Sequence, residues 1–213
     1  LFGGSAIVLS DLLGNNRLTL AGQVNGRLSE AFFYAGYMSL GQRLQYLVSG
    51  AQTPYFFLSD FYNEPLGDGT AREIQHFEIS RYIIRQGSLV GIRPFNRFTR
   101  VEVGASAVNV ARSTGFYRRA VDYVQGIASD LFPDSIVNEP GLNYVAPYAA
   151  YVSDNTLFGY TGPISGRRYR FQIEPAVGGL RWIDYQADYR RYVPLLFNLL
   201  TFSWRVQWSI TLG

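Results

Sequence analysis

The chain contains no cysteine and a single histidine among its 213 residues. The absence of cysteine excludes a disulfide framework and any metal site built on thiolates. Ser80 shares the face of His76 but would lie about 13 Å away along a strand, too far for a nucleophile and its base. Asp184 and Asp188 would be separated by about the same 13 Å, too far to share a metal. We therefore interpret His76 as a rim residue and expect no enzyme, catalytic residue, metal or cofactor.

No stretch of the chain is apolar for long enough to form a transmembrane helix. The longest such run, residues 193–202, contains Pro194 and Asn198 and covers about half of the roughly 20 residues that a spanning helix needs. Unpaired backbone groups are very costly in hydrocarbon, so a membrane location would require a closed barrel. The sequence also begins at Leu1 without a basic region or cleavage site. We therefore expect a processed or excised piece of a longer protein.

Charged residues are scarce and dispersed. They make up 16% of the chain, well below the roughly 25% of soluble domains, and the formal net charge is +3. No run of basic residues could track a phosphate backbone, which excludes nucleic acid as a partner. Aromatic residues also make up 16%. This balance suits a surface that contacts lipid and its headgroups.

The last third of the chain, residues 165–211, alternates polar and apolar side chains in three successive segments. This period of two is the signature of strands with one wet and one dry face. The segments run about ten to fourteen residues, enough for a tilted strand to cross a bilayer. The charged residues that we expect to line a lumen are Arg168, Arg170, Glu174, Asp184, Asp188, Arg190 and Arg205. The aromatic residues that we expect to face lipid are Tyr169, Phe171, Tyr185, Tyr189, Phe202, Trp204 and Trp208.

Two interpretations are open for each of these sets. The charges would form a lattice of cross-strand ion pairs that fills the barrel, or would set the wetness and selectivity of a lumen. The rings would form a girdle at the membrane interface, or a platform for a ligand.

Over the whole chain, alternation and turn residues predict about ten strands. We place them at residues 5–13, 17–26, 30–40, 43–51, 77–93, 99–112, 143–153, 168–174, 183–190 and 201–210. The pattern lapses near residues 53–76 and 113–141, which we interpret as irregular loops over one rim, the second with room for a short helix. Residues 1–213 are therefore predicted to form one all-β domain, an antiparallel transmembrane β-barrel.

Four stretches stand out beyond their alternation. They read GGSAIVLSDLLGNN, NRFTRVEVGAS, YVSDNTLFGYTGPISGRRYRFQIEPAVGG and WIDYQADYRRYVPL. Together they resemble the C-terminal barrel of the bacterial surface antigen D15 family, within the Omp85 superfamily of BamA-like and TamA-like outer-membrane insertases and translocases. The resemblance is strongest over residues 166–195.

The resemblance implies a sixteen-stranded barrel, preceded by periplasmic domains, of which this chain would supply part. It also implies a seam between the first and last strands that opens sideways to admit substrate. The alternate residues of the expected seam strand are Ser5, Ile7, Leu9, Asp11 and Leu13.

Two features depart from the family pattern. The (Val/Ile)-Arg-Gly-(Phe/Tyr) motif is absent, and the chain ends in Thr211-Leu212-Gly213 without a terminal aromatic residue. We expect either that the chain stops before the loop carrying that motif, or that it is a diverged, smaller barrel.

From these observations we expect a bacterial outer-membrane β-barrel that assists the insertion or translocation of proteins. Its partners would be membrane lipids and client or neighbouring proteins of the outer membrane and periplasm. A passive pore or structural barrel in a larger surface assembly is one alternative, which channel conductance without an effect on client insertion would favour. A soluble ligand-binding barrel is another, which extraction into buffer without detergent would favour.

Overall fold

The protein is a single antiparallel β-sheet of twelve strands in a computed structural model that describes residues 2–67, 72–160, 162–195 and 199–213. A short 3-10 helix, Leu28–Glu30, follows the second strand. The strands are β1 (Phe2–Ser10), β2 (Asn16–Asn25), β3 (Phe32–Ser39), β4 (Gln45–Pro65), β5 (Arg72–Pro94), β6 (Thr99–Asp122), β7 (Ile127–Ala128), β8 (Phe132–Asp154), β9 (Leu157–Phe158), β10 (Pro163–Gly178), β11 (Trp182–Leu195) and β12 (Leu200–Leu212). The all-β prediction is confirmed.

Ten of these strands form one path, in the order β1, β2, β3, β4, β5, β6, β8, β10, β11 and β12. The two-residue strands β7 and β9 pair only with β6 and β10. All pairings are antiparallel, as expected for strands joined by successive hairpins. The sheet is not closed, because β1 and β12 end the path and no pairing joins them in the described part of the chain.

The first strand ends earlier than predicted. β1 stops at Ser10, so Asp11 and Leu13 belong to the turn and not to the strand. The turn forms because the Asp11 side chain accepts a hydrogen bond from the Asn16 backbone N–H at 3.1 Å and from the Asn16 side chain at 3.0 Å. These bonds, the backbone one above all, hold the pKa of Asp11 below its usual value.

The prediction of irregular loops near residues 53–76 and 113–141 is wrong for most of their described residues. β4 and β5 pair as far as Pro65 and Glu73, and β6 and β8 pair as far as Arg118 and Phe132. Among the described residues of the two stretches, only 66–67 and 123–131 lie outside the long strands, and the predicted short helix is absent from residues 113–141. His76 accordingly lies inside β5 and does not precede it.

Irregular pairing explains why alternation did not reveal the extended parts of β4 and β8. The register shifts between Leu58 and Asp60, between Val110 and Arg112, and between Phe116 and Tyr117. Each shift inserts an extra residue on one strand, which reverses the phase of all side chains beyond it. A sequence window that crosses such a bulge shows no period of two.

Proline also interrupts the ladder at one place in the middle of the sheet. Pairing of β8 with β10 stops after Ala149 opposite Ile173 and resumes at Val145 opposite Val177. Counting two residues from either of these pairs places Pro147 opposite Pro175 in the gap. Neither residue has a backbone N–H, so neither can donate across the ladder.

Four strands continue well beyond their neighbours. β3 pairs with β4 only up to Gln52, and β10 pairs with β8 only up to Tyr144. The continuing parts, which we call the extension, are residues 53–65, 72–84, 110–122 and 132–142. At about 3.3 Å per residue, thirteen residues extend some 43 Å past the rest of the sheet. The turns at residues 11–15, 40–44 and 95–98 lie at the opposite end, which we call the turn end.

Candidate functional site

Pairing register divides the side chains of the sheet between two faces. One face carries Arg170 and its register partner Asp188, and we call it the polar face. The other carries Phe171 with its partners Tyr151 and Ala187, and we call it the apolar face.

All seven charged residues singled out in the sequence lie on the polar face. Their register pairs are Arg168 with Arg190, Arg170 with Asp188, Glu174 with Asp184, and Arg190 with Arg205. Three of these four pairs bring like charges opposite each other, which is unfavourable for direct contact. Most of their ion pairs therefore form along strands or diagonally between them, and Arg168 pairs directly across the ladder with Asp154 at 3.6 Å.

Asp188 is the centre of one such cluster. Its carboxylate accepts a hydrogen bond from Arg190 Nη2 at 2.7 Å, and two from Arg205, at 2.9 Å from Nε and 3.0 Å from Nη2. The bidentate contact with Arg205 joins β11 to β12, and the contact with Arg190 runs along β11. One carboxylate thus neutralises two guanidinium groups that would otherwise repel each other.

A second cluster spans three strands and centres on Glu102 of β6. The Glu102 carboxylate accepts hydrogen bonds from Arg100 Nε at 2.7 Å and from Arg170 Nη1 at 2.6 Å. Arg170 also donates to Gln172, whose amide donates to Glu174 at 2.9 Å. The result is a continuous chain of charge-assisted hydrogen bonds from β6 to β10.

This chain of bonds crosses β8 because the intervening side chain is small. Ala150 lies between Glu102 on one side and Gln172 on the other. A methyl group leaves room for the Arg170 guanidinium to reach over it to Glu102, which is only 7% exposed. Sequence reasoning missed this cluster, although Arg100 and Glu102 share the predicted alternation of their strand, because the order of neighbouring strands was unknown.

The apolar face carries the seven aromatic residues singled out in the sequence. Phe171 pairs with Ala187, which pairs with Trp208, and Tyr169 pairs with Tyr189. Trp204 and Phe202 lie on the same face of β12. Phe171 is 55% exposed and Trp208 is 53% exposed. These rings therefore cover no core in the described part of the chain.

This face continues across every long strand of the sheet. Exposed apolar residues at successive strands include Ile7, Leu20, Phe33, Val48, Leu89, Val103, Val145, Ile173, Ile183 and Val206. On β5, the charged residues Arg85 and Arg93 mark its two ends. On β8, Asn143 and Ser153 mark them, ten residues apart or about 34 Å along the strand.

Aromatic rings concentrate on the part of the apolar face nearer the turn end. Pairs on neighbouring strands include Tyr37 with Tyr46 at 6.0 Å between centroids, Tyr151 with Tyr169 at 6.0 Å, and Tyr189 with Trp204 at 5.1 Å. These pairs lie on β3 and β4, on β8 and β10, and on β11 and β12, whereas in the same part of the apolar face the described residues of β5 and β6 include no ring. Tyrosine and tryptophan in this arrangement are typical of a membrane interface.

The expected seam strand forms one outer edge of the sheet. Ser5, Ile7 and Leu9 lie in β1 on the apolar face, where Ile7 pairs with Leu20. Their strand pairs with β2 on one side only in the described residues. At the other end of the path, β12 likewise pairs only with β11.

His76 lies in a contact that offers no catalytic pair. Its ring stacks on Tyr62 at 4.5 Å between centroids, and its Nε2 lies 3.0 Å from Glu64 Oε2. Ser80, the nearest candidate nucleophile in sequence, is engaged with Ser59. The described residues contain no cluster of acidic and histidine side chains suited to a metal ion.

Comparisons of the chain with protein-family models, with curated proteins and with solved structures found no match. Among the described residues, no helix combines the length and hydrophobicity needed to cross a membrane.

The Glu102 cluster can be tested by neutralising its carboxylate. We expect Glu102→Gln to lower the free energy of unfolding by about 1–3 kcal/mol, because two guanidinium groups lose their common counter-charge at a buried carboxylate. Denaturant unfolding of the protein in detergent measures this change.

The matched control is Asp134→Asn in the extension. Asp134 lies 3.8 Å from Arg118, and both side chains are more than half exposed, so its loss should change stability by less than about 0.5 kcal/mol. Equal effects of the two substitutions would show that the Glu102 cluster is no more important than a surface ion pair.

Proposed function

We propose that this chain is the membrane-embedded part of an outer-membrane β-barrel of the Omp85 type, which assists the insertion or translocation of other proteins. The observation that carries the proposal is the apolar face, which crosses ten strands opposite a charged face and whose charged residues, Arg85, Arg93, Arg167 and Arg191, lie towards its two ends. The resemblance to the surface antigen family supports the same assignment.

The dimensions of the apolar face fit a bilayer. The 34 Å between Asn143 and Ser153 along β8 correspond to about 24 Å across a membrane if the strand is tilted by about 45°. Outer-membrane barrels carry an outward apolar band about 25 Å tall, with aromatic girdles at its margins. Soluble monomers rarely expose a contiguous apolar patch of more than a few hundred Å². The width and the exposure of the apolar face favour lipid as the medium next to it, and argue against a soluble ligand-binding barrel.

Burial supports a lumen on the opposite side. On the polar face, Val152 is 0% exposed, whereas the rings of the apolar face are about half exposed. A sheet that curves towards its polar face crowds the side chains there and spreads those on the other. The clusters around Glu102 and Asp188 would then line or fill the interior of a barrel.

The two ends of the sheet also differ as they do in outer-membrane barrels. Short turns connect the strands at the turn end, whereas the extension protrudes at the other end. Outer-membrane barrels have short periplasmic turns and longer extracellular connections. We therefore assign the turn end to the periplasm and the extension to the cell exterior.

Insertase activity would use the edge of β1. An unpaired strand edge presents a row of N–H and C=O groups, which is a template for another strand. A client strand that paired with β1 would keep its backbone hydrogen-bonded while it entered the membrane. The charged polar face favours a second candidate, a passive pore, whose ion selectivity these side chains would set.

The orientation of the faces can be tested with one charge placed on either side of β12. We expect Trp208→Arg to destabilise the inserted protein by about 2–4 kcal/mol, because the charge would enter hydrocarbon. Gln207→Arg, the control on the polar face next to Asp188, should be tolerated. Heat-modifiable gel mobility after refolding into liposomes measures the inserted fraction. The reverse order of the two variants would place the polar face towards lipid.

The use of the β1 edge can be tested by cross-linking, since the chain has no cysteine of its own. A cysteine at Ile7→Cys should form a disulfide with a cysteine in the last strand of a newly made barrel protein in outer-membrane vesicles. Ala105→Cys is the control, because it lies on the same face of β6, which is paired on both sides. Equal cross-linking from both positions, or none from Ile7→Cys, would leave the pore as the better assignment.

A further inference from the structure

A groove crosses the apolar face where the extension begins. Its floor and walls come from one register row, formed by Gly50, Gly87, Ala107, Val145 and Val177. Gly50 and Gly87 have no side chain and Ala107 has only a methyl group, which leaves a depression of about 740 Å³ in the face. This volume is within the usual range of ligand pockets. The depression is open to the side on which we place lipid.

The groove has space that side chains could fill. A Cβ atom built on Gly50 or on Gly87 would meet no other atom within 4 Å, and neither glycine has a positive φ. Neither residue is therefore required to be glycine by a close contact or by its backbone conformation. What the small residues provide is the open volume itself.

A polar row borders the groove along its side nearer the extension. It consists of Gln52, Arg85, Asn109 and Asn143, which occupy the register row next to that of the small residues. Arg85, Asn109 and Asn143 also line the groove. The groove is therefore apolar along its floor and cationic on one side.

The charge of Arg85 has no acidic partner among the described residues. Its Nε donates to Gln52 Oε1 at 3.0 Å and its Nη1 donates to Asn109 Oδ1 at 3.1 Å, both neutral acceptors. Asn109 in turn donates to Asn143 at 2.7 Å. These bonds hold the guanidinium in place beside the groove, with Nη2 available to an outside acceptor and the positive charge uncompensated.

We infer that this groove binds an anionic, phosphate-bearing membrane lipid, with its phosphate on Arg85 and the start of one acyl chain over Gly50, Gly87 and Ala107. Charge complementarity selects the headgroup, because a guanidinium forms paired hydrogen bonds with phosphate oxygens. The apolar row accepts the start of the chain, because it lies directly beside the cation, as an acyl chain lies beside the phosphate in such a lipid. The inference rests on the proposed function, because it requires the apolar face to lie in a membrane.

The test is lipid retention by the full chain after extraction into a mild detergent and exposure to phosphatidylglycerol or phosphatidylcholine. Native mass spectrometry should show one phosphatidylglycerol retained in preference to phosphatidylcholine. Arg85→Gln should lower this retention by about fivefold, as expected for the loss of one interfacial cation. Gly87→Leu should lower it to a similar extent, because the leucine would occupy the volume that the acyl chain needs.

Two controls separate the groove from general effects. Arg93→Gln removes a cation from the opposite end of the apolar face on the same strand, and Ala105→Leu adds bulk on that face to a residue that does not line the groove. Neither should change retention. Equal retention in all four variants, or no preference for phosphatidylglycerol, would overturn the lipid site.

Failure of the lipid site can be distinguished from failure of the proposed function. Heat-modifiable mobility in detergent reports insertion and folding for every variant, independently of bound lipid. A protein that inserts but retains no phosphatidylglycerol lacks the groove's proposed ligand and remains a membrane barrel. A protein that is soluble without detergent would refute the membrane assignment and the lipid site with it.

Discussion

The register of the sheet is the constraint from which the rest of the structure follows. Each long strand alternates its side chains, and successive pairings bring all apolar sets to the same face. A slip of one residue in any pairing would move the aromatic residues of that strand among the charges of the other face. Tight turns such as that capped by Asp11 fix the register locally, and the opposed chemistry of the two faces maintains it over ten strands.

Two different kinds of interaction hold the two faces. The polar face uses shared carboxylates: Glu102 and Asp188 each bind two arginine side chains, which joins β6 to β10 and β11 to β12. In the described residues the apolar face has no comparable internal partner. Under the proposed function, lipid would cover this face without a specific partner and would accommodate the rings near the turn end.

Alternation in the sequence was sufficient to predict the faces where strands are regular. It predicted that Arg170 and Phe171 lie on opposite faces of the sheet, and that Arg205 and Trp204 do so too. The pairings of β10 to β12 show this arrangement. Alternation failed in the extended parts of β4 and β8, because the bulges near Leu58 and Ser135 reverse its phase. Alternation also could not reveal contacts between strands that are distant in sequence, such as that of Arg170 with Glu102. For the same reason it could not show that the register row of Arg85 lies next to the row of small residues that forms the groove.

The surroundings of the three tryptophan residues provide the most direct test of the central claim. Trp204 and Trp208 lie on the apolar face, whereas Trp182 lies on the polar face beside Tyr144. In liposomes containing bromine-labelled lipids, a Trp182→Phe variant should lose most of its fluorescence to the lipid quencher. A variant that keeps only Trp182 should be little affected. Quenching of Trp182 together with protection of Trp204 and Trp208 would contradict the account.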